Sequence, residues 1–206
     1  MWTFNQITKI RNLVPNNGTV NYHGKIFNKE KSDFYFNKLF NTIKWQHDKA
    51  IILGNLIHTK RKVAWYGDEN YSYTYSKTTK QALNWTKELL ELKTKIEKIS
   101  NTKFNSCLLN LYHNGEEGMA WHSDSEEVLG KDTTIASLSF GAQRKFSFKN
   151  KKTKDIINID LENGSLLIMK DETQTNWLHR LPPTKKVLTP RINLTFRTII
   201  KSNEIQ

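Results

Sequence analysis

Apolar positions along the chain follow two different spacings. Phe36, Leu39, Phe40 and Ile43 fall three and four residues apart, so a helix capped by Ser32 or Asp33 and running to about Ile43 puts them on one face. The same spacing returns in Leu83, Leu89 or Leu90, Ile96 and Ile99, with Lys and Glu between them. It predicts a packing helix over residues 79–100 whose charges form a solvated face. Ahead of the first helix, a turn at Pro15-Asn16-Asn17-Gly18 introduces a short strand at Thr19-Val20-Asn21-Tyr22. Between the helices, strands and turns alternate through Ile51-Ile52-Leu53, Gly54-Asn55, Val63 to Gly67 and Tyr71 to Ser76.

From Asn101 onward the strand period of two takes over. Runs from Phe104 to Tyr112, Thr134 to Phe140, Lys145 to Lys149, Ile156 to Leu161, Ser165 to Lys170 and Arg191 to Ile200 are separated by Asn114-Gly115, Gly141, Asn163-Gly164 and Pro182-Pro183. So many short strands predict a sandwich or barrel with the helices on one outer face, an α+β, β-rich fold. The 206 residues read as a single domain: an N-terminal extension with the first helix at 1–50, hairpins at 51–78, the packing helix at 79–100 and a β core at 101–200.

The last strand makes the clearest geometric statement. In Arg191-Ile192-Asn193-Leu194-Thr195-Phe196-Arg197, Arg191, Asn193, Thr195 and Arg197 leave one face, and Ile192, Leu194 and Phe196 leave the other. Two arginines turned into a barrel are expensive to bury without an anion, and a small dicarboxylate suits the bidentate grip of guanidinium groups. Asn110 and Tyr112 share a face of their own strand and can add hydrogen bonds to that anion.

Composition shifts the picture toward polyanions. Lys and Arg number 32 against 20 Asp and Glu, a formal charge of +12, which favours nucleic acid over an anionic membrane surface. Trp65, Tyr66, Tyr71, Tyr73 and Tyr75 lie near the basic knot Lys60-Arg61-Lys62, a combination that stacks bases and holds phosphates. Tyr and Thr are also ordinary strand formers, so the residues alone leave both readings open. Cys107 is the single cysteine, which excludes an internal disulfide framework and a thiolate zinc cluster. No apolar run approaches the roughly 20 residues of a membrane span, and the start lacks a signal-peptide core; a soluble, non-secreted protein is expected.

His122 and Asp124 are two apart in Trp121-His122-Ser123-Asp124, so a strand places both on one face, where a metal ion can sit between imidazole and carboxylate. Alone this pattern is weak. Of the remaining histidines, His179 lies nearest the arginine-bearing strand, and two histidines with one carboxylate make the facial triad of non-haem iron(II) oxygenases.

Taken together, His122-Ser123-Asp124, the distal His179 and the Arg191 to Arg197 strand resemble the AlkB family of iron(II)- and 2-oxoglutarate-dependent dioxygenases, in its branch that repairs alkylated DNA. The likeness extends over about residues 50–200, through Tyr66-Gly67, Tyr73-Thr74-Tyr75-Ser76, Ser137 to Gly141 and Gly164 to Leu167. It implies a double-stranded β-helix, or jelly roll, with Fe(II) on His122, Asp124 and His179. It also implies 2-oxoglutarate held by Arg191 with Asn110, Tyr112, Asn193, Thr195 and Arg197, and O2 as the second co-substrate. The implied reaction oxidises the N-methyl group of a base such as 1-methyladenine or 3-methylcytosine, releasing succinate, CO2 and formaldehyde.

By the same resemblance, residues 51–78 are nucleotide-recognition hairpins. Trp65, Tyr73, Tyr75 and Ser76 bound the base, Ser125 and Glu126 face it, and His122 is available as the opposite stacking surface. The tip Ile52-Leu53-Gly54 stands where the duplex-acting homologue has an aromatic wedge, so duplex preference stays open; the basic segments Lys60-Arg61-Lys62 and Lys149 to Lys154 contact either form. DNA is the expected partner with RNA as the alternative, and a non-catalytic nucleic-acid-binding barrel is a further one. The implied protein is a monomer, cytoplasmic in a bacterium or nuclear in a eukaryote.

Overall fold

The computed structural model describes residues 11–52, 55–75 and 78–200, the side chains of 49–58 and 72–80 apart. Chain order is β1 (Thr19–Lys25), α1 (Lys29–Thr42), β2 (Gln46–Ile52), β3 (Asn55–Gly67), β4 (Ser72–Tyr75), β5 (Thr78–Gln81), β6 (Leu83–Asn84) and α2 (Lys87–Ser100). There follow β7 (Ser106–Tyr112), β8 (Met119–His122), β9 (Ile135–Gly141), β10 (Arg144–Asn150), β11 (Ile156–Leu161), β12 (Ser165–Lys170), the single turn α3 (Thr173–Asn176), β13 (Trp177–Leu181) and β14 (Arg191–Arg197).

The strands form a large sheet in the order β1-β12-β9-β14-β7-β3-β2, with β6 pairing β3, and a small sheet in the order β11-β10-β13-β8; β4 and β5 make a separate hairpin. Strand alternation divides the large sheet between two cores. Ala136, Leu138 and Phe140 of β9 and Ile192, Leu194 and Phe196 of β14 pack outward against Tyr35 and Leu39 of α1 and Leu89, Leu92 and Ile96 of α2. Val20, Ile135, Leu167 and Met169 face the other way, onto Phe148, Leu161 and Trp177 of the small sheet. The result is the jelly roll with both long helices on one outer face. Between the sheets, beside the second core, the inward positions turn polar at Ser137, Ser139, Asn110 and Arg191, all buried.

Local details depart from the expected elements. α1 begins earlier, because Asn28 is its cap and accepts from the Lys31 amide. Ser32 instead lies inside the helix, its hydroxyl donating to the Asn28 carbonyl. Its buried stripe is Tyr35, Leu39 and Ile43 at steps of four, which leaves Phe40 exposed. Residues 79–85 are not helical. Thr86 caps α2 by accepting from the Leu89 amide, while Thr78–Gln81 pairs with β4 and Leu83 with Tyr66, so pairing across the chain overrides a local helical spacing. β8 and β13, the two strands that carry the histidines, are short and were not resolved by periodicity. Among the described residues no helix is long and apolar enough to cross a membrane.

Candidate active site

β8 and β13 are neighbours in the small sheet, and His122 and His179 are direct register partners on them. Both imidazoles turn inward with ring centroids 4.3 Å apart. β8 ends at His122, and the chain then folds Asp124 back: His122 Nε2 lies 3.8 Å from Oδ1 and His179 Nε2 lies 4.0 Å from Oδ2. One ligand atom from each residue falls within 4.8 Å of the others. His122 Nδ1 is 2.9 Å from the Ala120 carbonyl; with the proton on Nδ1, this bond leaves the Nε2 lone pair toward the carboxylate. His179 is only 4% exposed, and burial pushes it down to about 4, so it is the neutral, metal-binding form at pH 7. Burial raises the Asp124 carboxyl, but Arg197, His179 and His122 outweigh it and hold the group below the usual carboxylate value.

Gln174, which the sequence did not single out, and Lys151, from the basic segment Lys149 to Lys154, brace this triad. Gln174, buried on α3, accepts from the Asp124 amide through Oε1 at 2.9 Å. Lys151 donates to the Gln174 carbonyl at 2.8 Å and to Ser123 Oγ at 3.2 Å. Ser123 and Asp124 are thus fixed from outside the metal-facing side. Gln174→Leu is expected to weaken Co(II) binding to the anaerobic protein about 10–100-fold, as for other partners of metal ligands. Unchanged affinity in that titration would remove Gln174 from this role.

The polar wall next to the triad follows the register of the large sheet. Arg191 pairs with Tyr112 and Gly141, Asn193 with Asn110 and Ser139, and Thr195 with Leu108 and Ser137. Arg191 is 2% exposed; it donates to Ser139 Oγ at 2.9 Å and lies 5.6 Å from the Tyr112 ring, while its Nε has no partner. No carboxylate among the described residues pairs with it, and burial pushes its guanidinium down to about 10. Asn110 Oδ1 is also buried without a partner. Asn193 is held by Ser137 and the Leu138 carbonyl, and Thr195 donates to Asn193. Arg197 ends the row at Asp124 Oδ1, 3.1 Å away. Arg191 is thus a buried cation with a spare donor on the strand whose other end, Arg197, contacts Asp124.

The 2OG-Fe(II) oxygenase superfamily matches residues 18–197. The DNA oxidative demethylase ALKBH2 of Mus musculus is 34% identical over 190 residues, covering 87% of this chain and 80% of that protein. The chain belongs to the AlkB family. Alpha-ketoglutarate-dependent dioxygenase alkB homolog 3 is 39% identical over 82% of the chain in Bos taurus and 38% identical over 86% in Homo sapiens. The chain spans 62% and 65% of the length of those two relatives. The solved structure of OsALKBH1 covers 92% of the chain with a TM-score of 0.60 at 17% identity, a likeness of fold.

For an AlkB-family chain the donor set is a fit for iron(II): two imidazoles and one carboxylate held ionised. A further buried arginine organises the approach. Arg144 donates to the carbonyls of Asn114, Gly115, Glu117 and Pro182, tying the loop that enters β8 to the loop that leaves β13. Gly115 sits in that contact, where a Cβ would come within 2.2 Å of the Thr184 carbonyl.

The expected base-contacting residues of this AlkB-family chain separate into placed and unplaced groups. Trp65 lies on β3 in register with Leu108, which pairs in turn with Thr195 on β14, and donates to Ser106 Oγ at 2.7 Å. Its ring stacks on Tyr71 at 6.4 Å. Ser125 and Glu126 are exposed at the rim, with Glu126 Oε1 3.9 Å from Arg197. The backbones of Tyr73 and Tyr75 run in β4 and that of Ile52 ends β2, but their side chains, and Leu53, Gly54 and Ser76 altogether, lie outside the described residues. Lys60 is exposed and Lys62 half-buried. Arg61 corrects the expectation of a phosphate contact: it is buried, paired with Asp48 and in contact with Met119 Sδ, so its charge is committed inside the protein.

Proposed function

We propose that this chain is an Fe(II)- and 2-oxoglutarate-dependent dioxygenase that removes N-linked methyl groups from nucleobases in DNA. The observation that carries the reading is Arg191, a fully buried cation without a carboxylate partner among the described residues, on the wall that Arg197 joins to Asp124 of the triad. The names of the relatives support the same reaction.

His122, Asp124 and His179 would hold the iron, which together with O2 and 2-oxoglutarate supplies the oxidising chemistry. Arg191 and Ser139 grip the far carboxylate of the keto acid, with Tyr112 against the guanidinium, and Asn110 and Asn193 supply side-chain amides. Arg197 keeps Asp124 ionised and oriented. His122 is 34% exposed in its side chain whereas His179 is 5%, so His122 is the ligand that shows a ring face to an entering base. Trp65 bounds the opposite wall, two strands from β14. A methyl group inside a duplex cannot reach this interior, so the base enters flipped or unpaired. Glu126 on the rim favours a cationic lesion such as 1-methyladenine or 3-methylcytosine. The protein acts as a monomer in whichever compartment holds its DNA.

The test is formaldehyde release from 1-methyladenine in single-stranded DNA, duplex DNA and RNA, measured side by side with iron, ascorbate and 2-oxoglutarate. Release from DNA above RNA is expected, and Glu126→Ala should lose preference for the cationic lesions. Faster release from RNA would reassign the substrate; none from any methylated strand would end the demethylase reading.

A further inference from the structure

Three strands of the small sheet contribute neighbouring residues to its two faces. Phe148, His179 and His122 point inward, with His179 in register with both of the others. Their chain neighbours Lys149, Arg180 and Trp121 therefore point outward, on the opposite side of the same backbone. There the Lys149 ammonium lies 4.7 Å and the Arg180 guanidinium 4.5 Å from the centroid of the Trp121 ring. All three side chains are half-buried. Neither cation forms an ion pair among the described residues, and Arg180 Nε is buried without a hydrogen-bond partner. Trp121 and Arg180 also line a groove of about 370 Å³ with Met119, Ala120 and Pro183. Asp160 of β11 is in register with Lys145 of β10, on the side of the sheet away from β8.

We propose that Lys149 and Arg180, held together by the Trp121 ring, form a phosphate clamp for the nucleic-acid strand that carries the target base. An indole face favours a cation, and two cations drawn to one ring are restrained in rotamer before a ligand arrives. Two cations gathered at one ring, neither of them paired with a carboxylate among the described residues, are complementary to a phosphodiester. β8 couples the two sites covalently: a strand gripped at Trp121 is fixed relative to His122, the next residue. This clamp rests on the nucleic-acid reading above and adds to it a place where the backbone is held.

The experiment measures binding of an unmethylated single-stranded oligodeoxynucleotide as a function of salt, in wild type, Lys149→Met, Arg180→Met and Trp121→Leu. Each removed cation is expected to weaken binding to all sequences alike and to lower the slope of log affinity against log salt by about 1. Arg180→Lys should keep the slope, and Co(II) affinity at the His122, Asp124 and His179 site should stay at the wild-type value in every variant, which shows that the fold is intact. Variants with unchanged slope and affinity, while wild type demethylates the methylated oligonucleotide, overturn the clamp and leave the enzyme reading standing. Wild type that neither binds nor demethylates any oligonucleotide overturns that reading and the clamp with it.

Discussion

Replacing Asp124 by Ala is expected to abolish formaldehyde release and metal binding together, and also to destabilise the protein. Asp124 is the carboxylate of the triad and the direct partner of Arg197, whose side chain is only 14% exposed. Its removal strands that guanidinium, with Glu126 Oε1 at 3.9 Å as its remaining acid. Breaking a buried ion pair from one side costs roughly 3 kcal/mol, equivalent to a fall in Tm of about 6–12 °C for a chain of this size. Asp124→Asn keeps an acceptor for Arg197 but forms a poor metal ligand, so it should lose turnover while recovering part of the stability. Thermal unfolding and Co(II) titration of the two variants separate the effects. Turnover retained in Asp124→Ala would rule out this triad as the metal site.

Arg191→Met is expected to do the reverse to stability while removing co-substrate binding. The guanidinium, pushed down to about 10 by complete burial, opposes folding by about 3 kcal/mol while charged. The sign follows from a base whose folded value is depressed: the penalty is fully present at neutral pH and disappears only above both values. An apolar side chain of similar length lifts about half of it, because the Ser139 bond and the Tyr112 contact are lost as well, so the variant should melt about 3–6 °C higher in the absence of 2-oxoglutarate. With the charged partner gone, 2-oxoglutarate affinity should fall by roughly 30-fold to 3,000-fold, the equivalent of about 2–5 kcal/mol. Isothermal titration of 2-oxoglutarate into the Co(II)-loaded protein reads the loss. A variant that melts lower and binds as well as wild type would mean that Arg191 is a structural cation.

The sequence by itself determined the commitments that depend on a period of two. Alternation in Arg191 to Arg197 separated Arg191, Asn193, Thr195 and Arg197 from Ile192, Leu194 and Phe196, and the structure divides those sets between the polar interior and the helix-packed core. Residue types and the resemblance together pointed to the triad, and the structure brings its three members together. Helix ends were less legible, because Thr79 to Trp85 carry a helical spacing but satisfy their backbone in pairings with β4 and β3. Tertiary structure alone decided that Arg61, one of three adjacent cations, is turned in to Asp48, and that Gln174 and Lys151 brace Asp124 from fifty and twenty-seven residues away. It also placed Lys149, the first cation of the basic segment to Lys154, and the distant Arg180 on one indole. Periodicity reports the face on which a side chain leaves its own strand. Which side chains meet on that face is set by strand order and register, the product of contacts between distant segments.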